Sequence, residues 1–260
     1  MIHIHYFIAF IEKHKECMKI LFRPPTTEDF DVLVMDKHND TFEALSSKVR
    51  IQSDTLVGRH AIAQADIEAY ETVLSEEAYS VVLYPDKFGL NCAHCLRRLK
   101  AAIPCQHCSR VAFCSIQCRD AAWNSFHQWE CPYLDVLMGF GCSALARLAL
   151  RIITSKPISF FLQRKQEILD NFANADEMER NNGKDEYCQI LSLVALEDQR
   201  WPEDFLLRST MALILLGILR SSGYFGSKKT TGGSSDSYTK NELFIGSLLL
   251  KHLQVSTFHC

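Results

Sequence analysis

Residues 92–131 read CAHCLRRLKAAIPCQHCSRVAFCSIQCRDAAWNSFHQWEC, and the rest of the chain is organised around this stretch. It contains seven of the chain's eleven cysteines, which form, with one histidine, the pairs CxxC, CxxC, CxxxC and HxxxC. Sulfur and imidazole nitrogen are ligands that zinc prefers, and a structural zinc ion takes four of them. The spacing therefore predicts two structural zinc sites, built from Cys92, Cys95, Cys105, Cys108, Cys114, Cys118, His127 and Cys131.

Other uses of cysteine fit this pattern less well. A disulfide framework is typical of small secreted domains, whereas these cysteines form close pairs within a long chain that is otherwise poor in cysteine. A redox motif needs one CxxC pair, not four ligand pairs in succession. The other four cysteines are scattered, which indicates a reducing compartment, the cytoplasm or the nucleus; they are Cys17, Cys142, Cys188 and Cys260.

Length and charge limit the remaining classes of function. The chain has 260 residues, is 47% hydrophobic and carries a net charge of -3, so neither nucleic acid nor an anionic membrane is an expected partner. The longest apolar run, residues 211–219, falls short of the roughly 20 residues that span a bilayer. We expect no transmembrane segment, and no signal peptide because no basic residue precedes the apolar start of the chain.

The segments before residue 92 predict a small antiparallel β unit. Residues 1–47 are an apolar, then basic, then acidic leader of uncertain structure. Residues 49–63 are rich in β-branched side chains and predict two short strands around a turn at Gly58. Residues 73–83 predict a further strand, which Pro85 ends. Within it, Glu76 and Glu77 would point to opposite faces and could not act as a catalytic pair.

The chain after Cys131 predicts helices, so the fold class is α+β. We assign residues 48–90 to the strands, 91–131 to the zinc finger, 132–225 to a helical region, 226–239 to a flexible Gly- and Ser-rich loop and 240–260 to a terminal helix. Apolar side chains at helical spacing predict helices over 158–172, 187–196, 205–219 and 241–253, with breaks at Pro157 and at Trp201–Pro202.

The ligand spacing resembles that of the MYND zinc finger, a cross-braced module with two interleaved sites. Spacing alone does not say which pairs share an ion. The resemblance implies that Cys92, Cys95, Cys114 and Cys118 bind one zinc ion and that Cys105, Cys108, His127 and Cys131 bind the other.

The flanking segments resemble the SET-and-MYND protein-lysine methyltransferases, in which a MYND finger is inserted into a SET domain. The sequence G58-R-H-A-I-A63, with V73-L-S-E76, looks like the first SET strands, and the segment after Cys131 looks most like the fourth, TPR-bearing member. The resemblance implies a loop at Gly58 and Arg59 that contacts S-adenosylmethionine. His60 stands where glycine is common in that family.

The catalytic half of such an enzyme is not found in this sequence. The Asn-His-Ser-Cys segment, the Gly-Glu-Glu-Ile-like stretch, the late catalytic tyrosine, the cysteine cluster for a third zinc ion and the TPR helices are missing. Methyl transfer requires the donor and a deprotonated lysine to be held in line. We therefore expect a fragment truncated before the SET core, which does not methylate histone or other lysine substrates alone and would need S-adenosylmethionine only in a full-length form.

A binding module is the alternative. The resemblance implies that the finger binds proline-containing peptides beside Trp123, and that these peptides come from co-repressors or histone deacetylases. It also implies a role in transcriptional regulation, in the nucleus and the cytoplasm. An equally good alternative is that Trp123 only packs over the zinc hairpin.

Five basic residues in the finger outnumber two acidic ones, but a cluster of this size is usually a solvated surface, so nucleic acid is not an expected partner. They are Arg97, Arg98, Lys100, Arg110 and Arg119.

Overall fold

The computed structural model describes residues 37–54, 58–173, 186–191, 193, 195, 200–226 and 237–255. The contacts divide the chain into two units, one up to Glu77 and one from Ala78 onward. Most of the predicted leader, most of the predicted loop at 226–239, and the outer cysteines Cys17 and Cys260 lie outside the described residues.

The first unit contains the predicted β-hairpin. Strand β1 (Val49–Asp54) pairs in antiparallel fashion with β2 (Gly58–Ala63), from Val49↔Ala63 to Asp54↔Gly58. The two strands confirm the prediction for residues 49–63, but Gly58 begins β2 and does not form the turn. Gly58, Arg59 and His60 therefore lie in a strand, not in the loop that the resemblance implied.

The predicted strand over residues 73–83 is absent from the described structure. Only one isolated bridge forms there, between Leu45 and Leu74, supported by a hydrogen bond from the Ser46 amide to the Val73 carbonyl. Further along, the Val81 carbonyl accepts a hydrogen bond from a side chain, Arg151 Nη1 at 2.8 Å. A strand needs a continuous ladder of backbone partners, and this segment does not have one, so the prediction was wrong.

The finger is built on short elements. Strands β3 (Ile103–Pro104) and β4 (Ala112–Phe113) form a two-residue antiparallel pair. They lead into a continuous helical run: α1 (Ile116–Ala122), a π-helical turn (Trp123–His127), α2 (Gln128–Glu130) and a 3-10 turn (Cys131–Tyr133). The Ser115 hydroxyl caps α1 by accepting a hydrogen bond from the Cys118 amide at 3.1 Å.

Seven further helices lie in the described part of the chain after the finger, as the sequence predicted in outline. They are α3 (Leu134–Gly139), α4 (Ala144–Thr154), α5 (Ile158–Gln163), α6 (Lys165–Ala173), α7 (Glu186–Leu191), α8 (Pro202–Ser222) and α9 (Lys240–Val255).

Several helix boundaries differ from the prediction, three of them for a clear reason or by a large margin. The helix expected over 158–172 is interrupted at Arg164, whose φ of -102° and ψ of 12° leave the helical region. Helix α7 ends at Leu191, short of the predicted residue 196. Helix α8 begins at Pro202 rather than residue 205, because proline is compatible with the first helical turn.

The core of the second unit lies where α8 and α9 pack together and α9 packs on α4. Its fully buried side chains include Leu216 on α8, Ile245 on α9 and Ile153 on α4. Gly246 allows the close approach of α9, since a Cβ at this position would lie 3.0 Å from Leu216 Cδ2.

Helix α8 is also the one described helix that is long and apolar enough, by length and composition alone, to cross a membrane. An 18-residue window within it has a mean hydropathy of 1.4, and 28% of that window is buried inside the protein. The apolar run in the sequence covers only residues 211–219, whereas helix α8 in the structure is 21 residues long. The core helix of a soluble domain passes the same test, so this finding alone assigns no membrane role.

Candidate zinc centres and the groove beside them

The first ligand group brings together the first CxxC pair and the CxxxC pair. One sulfur atom from each of Cys92, Cys95, Cys114 and Cys118 lies within 4.8 Å of the other three. The Cys95 and Cys114 sulfur atoms are 3.6 Å apart, and those of Cys114 and Cys118 are 3.5 Å apart.

The second group combines the second CxxC pair with the HxxxC pair. Its ligand atoms, from Cys105, Cys108, His127 and Cys131, also lie within 4.8 Å of one another. His127 Nε2 is 3.2 Å from the Cys105 sulfur and 3.6 Å from the Cys108 sulfur. The sulfur atoms of Cys105 and Cys131 are 3.8 Å apart. These two groups are the ones that the resemblance implied.

These distances fit zinc. A tetrahedral ion with Zn–S bonds of about 2.3 Å places its sulfur ligands roughly 3.8 Å apart. The observed 3.5–3.8 Å separations between sulfur atoms lie close to that value and far from the roughly 2.05 Å of a disulfide. Protein atoms supply all four ligands in each group, so a bound ion has no open position for water or substrate. The finger therefore carries two structural zinc sites.

The helical run explains how neighbouring segments serve different ions. Cys118 lies in α1, and His127 lies nine residues later at the end of the π-helical turn, and the two side chains belong to different ligand groups. A spacing of four residues in the helical run keeps His127 and Cys131 on one side of it. Cys114 precedes α1, and its sulfur approaches that of Cys118 from before the cap residue Ser115. The two sites are therefore interleaved along the sequence but separate in space.

Burial and backbone donors set the protonation of the ligands. Burial raises the pKa of the Cys92 thiol, but hydrogen bonds from the backbone at Cys95, Cys114 and His94 outweigh it and bring the pKa to about 7. Burial lowers the pKa of His127 to about 4, which keeps the imidazole neutral and able to bind metal. Burial and then the Cys108 thiolate raise the pKa of Cys131. A zinc ion, when bound, stabilises the thiolate form of all these cysteines.

A buried ion pair joins the finger to helix α4. Arg151 on α4 donates two hydrogen bonds to the Glu130 carboxylate, from Nε at 3.1 Å and from Nη2 at 2.7 Å. Its guanidinium also lies 3.9 Å from the centre of the Phe126 ring. Because Glu130 directly precedes the ligand Cys131, this pair holds one end of the second zinc site against the helical region.

Sequence reasoning missed this ion pair. A signal existed, since Arg147 and Arg151 lie in the otherwise apolar helix α4 and are both buried, but nothing in the sequence named Glu130 as a partner. Phe126 is buried in the finger. Trp129 is half-buried and packs edge-on against Tyr224, with ring centres 5.6 Å apart.

An open groove lies beside the second zinc site. The His107 ring stacks on Trp123 with ring centres 4.3 Å apart and an angle of 27° between the planes. The His127 ring meets Trp123 edge-on at 6.1 Å. Trp123 thus packs against the zinc hairpin and also forms part of the groove wall. The full lining is Cys105, Gln106, His107, Arg119, Asp120, Trp123 and His127.

The finger matches a known family model, and the chain is similar to longer proteins. Residues 92–131 match the model of the MYND finger. Protein-lysine N-methyltransferase SMYD4 of Danio rerio is 29% identical over 203 residues, which cover 65% of this chain and 27% of that protein. The SMYD4 proteins of Gallus gallus and Homo sapiens are 31% and 28% identical over 45% and 54% of this chain.

The site and the family model together identify residues 92–131 as a zinc-binding finger of the MYND class. MYND fingers are protein-interaction modules. The chain is related to the SET-and-MYND protein-lysine methyltransferases, and it spans about a quarter or less of the length of these relatives, 27%, 18% and 21% in the three cases.

Proposed function

We propose that this chain contributes a zinc finger and its helical support to a protein-lysine N-methyltransferase that uses S-adenosylmethionine and acts in the nucleus and cytoplasm. Two lines of support carry this proposal. The eight ligands form two complete zinc sites, and the chain is similar over 203 residues to a protein-lysine N-methyltransferase.

The described residues have a structural role in such an enzyme. Zinc that is fully coordinated by protein orders the finger and offers no position for a reacting group. Cofactor contact at Gly58, Arg59 and His60 is part of the proposal, and so are histone or other lysine substrates. Methyl transfer itself needs a pocket that aligns donor and lysine, which we assign to a longer form of the protein.

Methyl transfer assays test this assignment directly. We expect the purified 260-residue chain, loaded with two zinc ions, to show no transfer of labelled methyl groups to histones or bulk protein. A longer form that also includes the parts of these relatives that the 260-residue chain does not span should show transfer. Zinc-dependent turnover by the 260-residue chain, or no turnover by the longer form, would contradict the proposal.

The second candidate function is docking of proline-containing peptides, such as those of co-repressors or histone deacetylases, in transcriptional regulation. The groove supports it, because Trp123 places an aromatic wall next to an amide side chain, Gln106. Aromatic side chains that line a groove are a common means of recognising proline-rich segments.

Peptide titration tests the docking role. Trp123→Ala should weaken binding of a proline-containing peptide, whereas Trp201→Ala, which removes an exposed tryptophan outside the finger, should leave binding unchanged. Zinc content of both variants should remain at two ions per chain. Unchanged affinity of the Trp123 variant with intact zinc content would eliminate the docking role.

A further inference from the structure

The groove contains a positively charged side chain, Arg119, that has no part in the peptide docking proposed above. Arg119 lines the groove together with Trp123 and His107. Its Nε and Nη2 both contact the same oxygen, Oδ1 of the adjacent Asp120, at 3.0 Å. Asp120 is the exposed member of this pair, with 55% of its side chain accessible. An ion pair with one solvent-exposed partner is weak in water, so another carboxylate can replace Asp120 at little cost.

The solvent-facing charge of the finger as a whole is basic. Of the two acidic residues in the finger, Glu130 is buried against Arg151, which leaves Asp120 as the only exposed carboxylate among residues 92–131. Arg97, Arg98 and Lys100 are exposed and belong to none of the ion pairs in the described part of the chain.

The second zinc site, which lies beside the groove, does not make the groove acidic. With zinc bound, three thiolates and one imidazole leave the second site with one net negative charge. That charge is internal, because Cys105 and Cys131 are buried and the Cys105 sulfur accepts a hydrogen bond from the His107 amide at 3.4 Å. An acidic ligand that enters the groove therefore meets Arg119 as the nearest accessible charge of opposite sign.

The distance between Arg119 and Trp123 determines how far apart the two recognised residues of a bound peptide must be. Arg119 and Trp123 are four residues apart on one helical run, which places their Cβ atoms about 5–6 Å apart. In an extended peptide, residues two positions apart point to the same side and are separated by roughly 6.6 Å. A proline on Trp123 would thus place the side chain two positions away within reach of Arg119.

We propose that this groove selects proline-containing peptides that carry an acidic side chain two positions from the proline, and that Arg119 recognises its carboxylate. This inference rests on the proposed docking function. The Arg119 guanidinium exchanges Asp120 for the peptide carboxylate, while the proline ring contacts the face of Trp123 that the stacked His107 ring does not cover. Arg119 is then the residue that determines which proline-containing segments bind.

Pools of labelled seven-residue peptides test the proposal. Each pool has a central proline, degenerate residues elsewhere, and Glu, Gln or Lys fixed two positions before or after the proline. Fluorescence anisotropy with the zinc-loaded 260-residue protein measures the apparent affinity. We expect one Glu pool to bind roughly threefold to tenfold more tightly than its Gln counterpart, and the preference to fall as salt is raised.

Substitutions at Arg119 and at the adjacent Asp120 should change the preference for Glu over Gln in opposite directions. Arg119→Gln should abolish the preference for Glu over Gln, and Asp120→Asn should increase it because the competing carboxylate is lost. Arg97→Gln is the matched control: it removes an exposed finger cation outside the groove and should keep most of the preference. Zinc content and far-ultraviolet circular dichroism check that each variant is folded.

The outcomes separate the inference from the docking role. If Trp123→Ala weakens all pools but Glu and Gln pools bind equally, docking stands and the selectivity for acidic peptides is wrong. Tightest binding of a Lys pool, or an equal loss in the Arg97 and Arg119 variants, also overturns the inference. If no pool depends on Trp123, the docking function and the inference both fail.

Discussion

The finger and the helical region of the second unit are stabilised in different ways. Residues 92–131 contain two-residue strands and short helical turns, and their centres are two groups of metal ligands. Helices α4, α8 and α9 instead bury a continuous set of aliphatic side chains such as Leu216 and Leu248. A finger of this size has too little apolar surface to fold on its own, so its order depends on zinc, whereas the helices depend on packing.

Zinc removal should have the largest effect and should act on the finger. Structural zinc supplies on the order of 10 kcal/mol or more of folding free energy in comparable small domains. We expect a strong chelator to abolish hydrogen-exchange protection over residues 92–131 and leave protection in α8 and α9. The control is addition of zinc, which should restore protection. Loss of protection in α9 to the same extent as in the finger would show that the two regions form one cooperative unit.

Glu130→Gln should weaken the contact between the finger and the helical region, because Glu130 pairs with Arg151 on α4. It leaves the buried Arg151 without its carboxylate, and breaking a buried ion pair on one side costs roughly 3–5 kcal/mol. We expect a lower urea midpoint and weaker zinc retention at the second site, measured by competition with a chromogenic chelator. The double variant Glu130→Gln with Arg151→Met removes the uncompensated charge and should recover part of the loss. No recovery would mean that the carboxylate acts in another way.

Leu216→Ala should affect only the helical region. The side chain is buried between α8 and α9, and truncation of a buried leucine costs roughly 2–5 kcal/mol. Thermal unfolding followed by far-ultraviolet circular dichroism should show a lower midpoint, while two zinc ions per chain remain bound. Leu206→Ala is the control, because Leu206 lies on the exposed side of the same helix and should change the midpoint little. Zinc loss in the Leu216 variant would contradict the separation.

Acid should produce the smallest of these effects, through His252 on α9. Burial lowers the pKa of this imidazole to about 3, whereas an unfolded histidine has a pKa near 6.5. As the pH falls, the unfolded state therefore binds the proton before the folded state does. The contribution of His252 to the free energy of unfolding is complete above about pH 6.5, and below that pH the protein loses roughly 1.4 kcal/mol per pH unit. Hydrogen exchange of α8 and α9 between pH 7 and 5 measures this slope independently of the finger.

His252→Gln provides the control for the acid effect. The amide does not titrate, so the slope should become shallower even if the variant is less stable at pH 7 because the Tyr187 contact at 3.1 Å is altered. An unchanged slope would assign the acid sensitivity to other groups.

Metal chemistry made the finger predictable. Eight ligands at short spacings have few alternative arrangements, and the residues named from sequence are the residues that the structure gathers into two groups. The two strands β1 and β2 were predictable because this segment is rich in β-branched residues, which favour strands. The predicted strand over 73–83 failed because strand formation depends on partners far away in sequence, and Arg151 takes the Val81 carbonyl.

The amino-acid sequence was sufficient to establish the two zinc sites, the hairpin before them and the helical character of the region after Cys131, because these depend on local spacing and periodicity. Tertiary packing was needed to establish that Glu130 pairs with Arg151, that His107 covers one side of Trp123, and that Arg119 lines the same groove. Such contacts join side chains whose approach depends on how several elements pack, and no local pattern encodes that packing.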